Sequence, residues 1–305
     1  MINHQPLSLL LIPKIGNITA IKTLNQLDWK PGKFSDEDFL ELLKSTDFKK
    51  LEYVKSTLEN AKLLIKKYDS EKINLVSFFD SDYPKKFRKI KNPPLILYYK
   101  GNLNNFTQSI NIAIIGTRNP TVNASNFAFD AAKIVSQNSC SVISGLALGC
   151  DSAAHKGCLE VKGNTMAILP SSVDQIYPST NKDLANSILN NDGCLISEYP
   201  SDSKIINSNF IQRDRLQSGI SDIVMVIETD LDGGTMHTVN YAIEQNVIIA
   251  CLDNYNDSAD LPLGNKKILN MQNINKLESL DDILSLLENL PKLQKNKQAS
   301  QGNLF

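Results

Sequence analysis

The sequence predicts an α/β fold, a Rossmann-like doubly wound parallel sheet preceded by a small helical domain. From Ile110 onward, short apolar runs alternate with single helical stretches. Strands joined by single helices form a parallel sheet covered on both faces. Residues 1–70 instead repeat their apolar positions at spacings of three and four, the period of amphipathic helices. The chain has 305 residues, 42% hydrophobic and 21% charged, which exceeds one usual domain and excludes wholesale disorder.

The helical N-terminal domain is expected over residues 1–70. Its second half, FLELLKSTDFKKLEYVKSTLENAKLLIKKY, reads as a helix pair. Ahead of it, Pro13, Gly16 and the apolar Ile12, Ile15, Ile18, Ala20, Ile21 and Leu24 fit a helix–hairpin–helix (SAM-like) turn. Such a turn can point backbone N–H groups at a phosphate, but plain helical packing is the favoured reading. Residues 71–106 read as an extended connector, because Pro84 and Pro93-Pro94 interrupt helix. Lys85, Lys86, Arg88, Lys89 and Lys91 cluster there beside Tyr83 and Phe87. A solvated connector is favoured over direct ligand contact, although the stretch could extend a ligand track from the next domain.

The Rossmann-like domain is expected over 107–290. Its strands are predicted at 111–116, 141–145, 165–169, 194–198, 222–228 and 247–252. Its helices are predicted at 124–137, 152–161, 181–190, 208–218 and 235–245. Ligands of such folds bind at the carboxyl ends of the strands. The polar tail 291–305 is expected to be disordered.

Charge is unevenly distributed. Residues 1–105 carry 18 basic and 12 acidic side chains, net +6, whereas 106–290 carry 11 and 21, net −10, and the tail adds +3. A strongly basic nucleic-acid binder is therefore excluded at the level of the whole chain, though a local basic site is not. No apolar run approaches the ~18 residues of a membrane span, and no secretory leader is read at the N-terminus. Five cysteines without a Cys-x-x-Cys pair argue against a disulfide scaffold or zinc module, so a cytoplasmic location is expected.

The strand ends carry the candidate chemistry. Gly116-Thr117-Arg118 closes the first strand. A tight turn, a following helix N-terminus and a guanidinium fork suit a phosphate, and an equally simple reading has Arg118 capping a surface loop. The turn is not the Gly-x-Gly-x-x-Gly of dinucleotide binders. The second strand ends in Ser144-Gly145, followed by Asp151 and His155, four apart at a helix start. A metal pair there lacks a third ligand, so Asp151 as N-cap and His155 in the sheet–helix seam are preferred. Gly233-Gly234-Thr235 has the form of a phosphate cradle, with Asp230 and Asp232 ahead of it to discourage a polyanion or to accept from a ribose. Arg213 and Arg215 diverge by ~200° on a helix, so both cannot face one ligand.

Taken in order, GTR, SGLALGCDSAAHKG, LPSSVDQIYPSTNKDL, ISEYP, NFIQRDRLQSGISDIVMVIE and the GGTMHT helix resemble the DprA/Smf DNA-processing family, a branch of the SLOG (LOG-like) Rossmann superfamily. The resemblance covers about residues 75–255 and extends to the helical module. It implies a homodimer without catalysis or cofactor that binds single-stranded DNA and loads RecA recombinase in recombination and natural transformation. It further implies that Gly116, Thr117, Arg118, Ser144 and Gly145 line the binding pocket and that Lys182 contacts the backbone. The family's Arg-Asn-Arg appears here as Arg213-Asp214-Arg215, its Ser-Gly-Ser as Gly233-Gly234-Thr235, and its basic second-loop residue as Leu148. The Gly-Gly-Thr turn is similar to the loop of LOG-type phosphoribohydrolases. The alternative is therefore a sensor of a nucleotide derivative or a nucleoside-monophosphate phosphoribohydrolase. Glu244 lies too far along its helix to match their catalytic Glu, so no catalytic set is identified.

Overall fold

The computed structural model describes residues 4–253 and 261–290, so the tail expectation for 291–305 lies outside the described residues. Four helices come first: α1 His4–Leu10, α2 Asn17–Gln26, α3 Asp36–Lys44 and α4 Leu51–Ser70. Ser35 opens α3 with a reciprocal capping box to Asp38, which satisfies donors that a helix start leaves without partners. Tyr68 at the end of α4 stacks edge-on against Tyr98, with ring centroids 5.4 Å apart.

The connector differs from its expectation. It contributes β1 Asn74–Ser77 and β2 Ile96–Gly101, which pair antiparallel with each other. The proline pair ends before β2 begins, so the run Leu95–Tyr98 stays free to extend and bury. Between the strands, a short 3₁₀ turn at Phe87–Lys89 buries Phe87, and the Tyr83 hydroxyl donates to the Pro94 carbonyl at 2.7 Å.

After α5 Asn104–Thr107 the alternation begins. The order is β3 Asn111–Ile115, α6 Val122–Gln137, β4 Ser141–Ser144, α7 Cys150–Glu160, β5 Thr165–Ile168, α8 Lys182–Asn190, β6 Cys194–Ser197, α9 Asn207–Ile220, β7 Ile223–Val226, α10 Thr235–Glu244 and β8 Ile248–Leu252. α11 Leu263–Leu269, β9 Ile274–Leu277 and α12 Leu280–Glu288 complete the described chain. The nine strands form one sheet in the order β1-β2-β6-β5-β4-β3-β7-β8-β9. All pairings are parallel except β1–β2 and β2–β6.

Period-two alternation divides the core. Ile112 and Ile114 of β3 pack with α6, α7 and α12 on one face, while Ala113 and Ile115 pack with α9, α10 and α11 on the other. The N-terminal helices share a third cluster with Ile96, Tyr98, Leu169 and Leu195 at the antiparallel side of the sheet. No helix among the described residues is long and apolar enough to cross a membrane.

Candidate nucleic-acid interface

β3 has β4 on one side and β7 on the other. The crossovers depart in opposite directions there, leaving a crevice at the carboxyl ends of the strands. The Gly116-Thr117-Arg118 loop spans this crevice. Thr117 N–H donates to the Glu228 carbonyl at 2.7 Å, and Cys150 N–H donates to the Thr117 carbonyl at 3.2 Å. Gly149 has φ +76° and packs so closely that a methyl there would overlap the carbonyl oxygens of Thr117 and Arg118. Glu228 fastens the far side, accepting from the Thr121 hydroxyl at 2.7 Å. With its backbone held, Arg118 projects into solvent, its guanidinium 5.4 Å from the Phe210 ring centroid. It has no carboxylate within 4.0 Å among the described residues.

A cleft of about 430 Å³ opens beneath Arg118. The structure brings Gly116, Thr117, Arg118, Arg213, Gly233, Gly234 and Thr235 together around it. Gly234 and Thr235 begin α10, where the helix dipole favours an anion, although the N–H groups of Met236 and His237 already donate to the Gly233 and Gly234 carbonyls at 2.9 and 3.0 Å. A side chain at Gly234 would meet open space. Arg213 is buried, donating through Nη1 to the Ile168 carbonyl and through Nε to Asp214 Oδ1, both at 3.0 Å. Gly145 lies against this guanidinium, and a methyl there would overlap it.

The sequence set Asp230 at the cradle, but it did not place Asp151 and Asp214 in the same cleft. Asp151, Asp214 and Asp230 share the lining with the two arginines. Asp151 is not the helix N-cap, a position Gly149 takes. Instead Asp151 Oδ2 accepts from the N–H groups of Gly145 (3.0 Å) and Ala147 (3.3 Å), bracing the second loop from inside. Burial raises its carboxyl, opposed by Arg213 and these N–H groups. Burial also raises Asp214 to about 7, with Arg213 opposing and Asp151 reinforcing the shift. With its amide turned so that both ends find partners, Gln217 bridges the loop and this acid, its nitrogen donating to Asp214 Oδ1 and its oxygen accepting from Gly145 N–H. His155 sits in the sheet–helix seam against the Thr165 hydroxyl at 2.7 Å, and burial lowers its imidazole to about 3.

Three expected site residues stand elsewhere. Ser144 is fully buried and donates to the Ile114 carbonyl at 2.7 Å, so its hydroxyl ties two strands together. Lys182 is exposed at the start of α8, outside the cleft lining. Arg215 points away from Arg213 into a bidentate pair with Glu198, at 2.8 and 2.6 Å, and donates to the Asn92 carbonyl at 3.0 Å. The basic stretch does not extend the cleft. Lys86, Lys89 and Lys91 line a separate groove of about 810 Å³ with Ile110, Asp222 and Ile248, at the amino ends of the strands. Lys86 is paired there with Asp222 at 2.5 Å. Asp230 and Asp232 are both exposed, and of the two Asp230 lines the cleft.

Comparison with known proteins gives consistent matches. Residues 74–288 match the model of the family described as DNA recombination-mediator protein A. Protein Smf of Synechocystis is 37% identical over 181 residues, which is 58% of this chain and 45% of that protein. DNA processing protein DprA of Bacillus subtilis is 30% identical over 178 residues, 58% of this chain and 60% of that protein. The matched region thus spans about half the length of these relatives. The X-ray structure of DprA from Streptococcus pneumoniae superposes with a TM-score of 0.75 at 21% identity, covering 93% of this chain and 98% of that one, and shares the fold. DNA processing protein A from Helicobacter pylori, in a structure described as giving insight into its single-stranded DNA binding mode, is 28% identical with a TM-score of 0.64, covering 71% of this chain and 96% of that one. With the family model matched from β1 to the end of α12, this chain belongs to the DNA recombination-mediator protein A (DprA/Smf) family.

Proposed function

We propose that the cleft at the carboxyl ends of β3 and β7 binds single-stranded DNA, with Arg118 as its principal phosphate donor. The observation that carries this reading is the state of Arg118: exposed, without a carboxylate partner among the described residues, and held over Phe210 beside the first turn of α10. A guanidinium so held gives charge-assisted hydrogen bonds to a phosphate at little conformational cost. Family membership and the single-stranded DNA binding of the Helicobacter relative support DNA as the ligand. The protein acts by binding rather than catalysis, in DNA processing and recombination, with RecA loading as the downstream role.

The same reading includes a homodimer. Ile243 and Ile248 are 50% and 39% exposed, beside a groove lined by Val247, Met271, Ile274 and Leu286. Sedimentation is expected to give a dimer at tens of micromolar, and monomer alone would remove the assignment.

Asp151, Asp214 and Asp230 in the cleft favour a second reading, a nucleotide-derived small molecule needing only one phosphate on Gly234 and Thr235. Titration with single- and double-stranded oligonucleotides and with nucleoside monophosphates separates the two. Arg118→Ala is expected to weaken single-strand binding by ~1–3 kcal/mol. Unchanged affinity at low salt takes Arg118 out of the site. Monophosphate binding abolished by Gly234→Arg, without oligonucleotide binding, replaces the first reading by the second.

A further inference from the structure

The loop that carries Arg118 runs from Thr117 to Thr121, and Glu228, just past the end of β7, holds both of its ends. The Glu228 carbonyl accepts from Thr117 N–H at 2.7 Å. Its carboxylate accepts from the Thr121 hydroxyl at 2.7 Å and from Thr121 N–H at 3.2 Å. The Thr121 oxygen in turn accepts from Ala124 N–H at 3.2 Å as the N-cap of α6, so the carboxylate also ties the loop to that helix. Between the two anchors lie only Arg118, Asn119 and Pro120. Asn119 N–H donates to the Thr117 hydroxyl at 3.3 Å, and the Pro120 ring fixes its own φ. Glu228 is buried and stands outside the cleft lining, so it acts on a bound anion through the loop rather than by contact.

We infer that Glu228 is the positioning residue of Arg118, and that its carboxylate strengthens phosphate binding although its charge opposes an anion. The inference rests on the proposed function of the cleft. Two effects of the carboxylate compete. A negative charge behind an anion site lowers affinity by simple electrostatics. Against this, an arginine on a slack loop must be ordered when the ligand arrives, and the entropy of that ordering is subtracted from the affinity. With both ends of the loop tied to one residue of a central sheet, the ordering is complete before any ligand binds. The effects have opposite signs, so removing the side chain at position 228 decides between them. Loss of affinity means that positioning outweighs charge, and a gain means the reverse.

The test measures oligothymidylate binding to the full chain by fluorescence anisotropy at low salt, in a double-mutant cycle with Arg118. Glu228→Ala is expected to weaken binding about fivefold, within the range of couplings inside one hydrogen-bonded network. Glu228→Gln keeps an acceptor for the Thr121 hydroxyl without the charge, and is expected to restore the affinity. In the Arg118→Ala background, Glu228→Ala is expected to cause no further loss, because the loop then has no guanidinium to place. Thr121→Val removes the same hydrogen bond from the other side and serves where Glu228→Ala does not fold. It is expected to weaken binding alike, with Thr121→Ser restoring it. Glu228→Ala or Thr121→Val that binds as tightly as wild type, or a loss of equal size with Arg118 already removed, overturns the positioning role while the phosphate cleft stands. Wild-type protein that does not bind the oligomer, or Arg118→Ala without effect, overturns the cleft reading and the positioning role together.

Discussion

Burial holds the carboxyl of Asp214 at about 7, far above the 3.8 it has in water. The groups that act on it come from four elements: Arg213 and Gln217 on α9, Asp151 on α7, Arg118 in the loop after β3 and Tyr241 on α10. Between about pH 4 and 7 the folded chain keeps a proton that the unfolded chain has lost. Stability from this group is therefore full below pH 4 and declines as pH rises through 7. A phosphate in the cleft repels the ionised form further, so binding takes up a proton. Oligonucleotide affinity is expected to fall between pH 6 and pH 8 in the wild type. Asp214→Asn, which keeps an acceptor for Arg213 Nε, is expected to bind more tightly at pH 8 and to flatten the profile. Anisotropy at the two pH values checks this, and an unchanged slope in the variant would assign the pH dependence to another group. The acid was plain in Arg213-Asp214-Arg215, but its altered proton affinity was not, because burial depends on which elements cover it.

The helix α9 shows why some elements were legible and others were not. Its inward residues include Asn209, Arg213, Asp214, Arg215, Gln217 and Ser218, so polar side chains are buried on nearly all sides. Its length was readable from its neighbours, while its orientation was not, because no apolar stripe marks a core face. Arg215 clamps this helix to Glu198 at the end of β6 and to the Asn92 carbonyl ahead of β2. Arg215→Ala leaves Glu198 charged and buried without its cation, keeping a hydrogen bond with the Tyr199 phenol, and is expected to cost about 3–5 kcal/mol of stability. Denaturant unfolding measures the loss, and the folded variant is expected to keep its affinity for single strands. A loss below about 1 kcal/mol would mean that Glu198 escapes to water. The strands β3 to β8 were readable as apolar runs. β9, with the sequence Ile-Asn-Lys-Leu, was missed because an edge strand half exposed to water needs little apolar signal.

The whole molecule sets the salt dependence. The full chain carries net −1 and the region 106–290 net −10, so few phosphates can be neutralised. With Arg118 and Arg213 as the cations of the cleft, the slope of log affinity against log salt is expected near −1 to −2 for a single strand. A slope steeper than about −4 would bring in a basic surface beyond the cleft, with the Lys86–Lys91 groove the first place to look. The N-terminal helices are part of the same body: Asn17 Oδ1 accepts from Leu95 N–H at 3.0 Å, and Leu24, Phe39 and Leu58 share a core with Ile96, Tyr98 and Leu169. Removing residues 1–70 is expected to expose that core and produce aggregation on size exclusion. A truncated chain that stays monodisperse and melts cooperatively would show that the sheet is stable alone.

The alternation of elements, their approximate bounds and the turns that face a ligand were legible in the chain, because strand burial, helix period and glycine-bearing turns are local properties written in adjacent residues. The sequence also carried the family resemblance, which depends on the order of those turns. The sheet order decided what meets what. β3 and β7 are more than a hundred residues apart in the chain yet lie side by side, and only that adjacency sets Arg118 beside the Gly234-Thr235 turn. The tertiary structure likewise separated Arg213 from Arg215, sealed Ser144 between strands and turned the basic stretch to the amino ends of the strands. Convergence and burial depend on distant chain segments, and no local pattern encodes them.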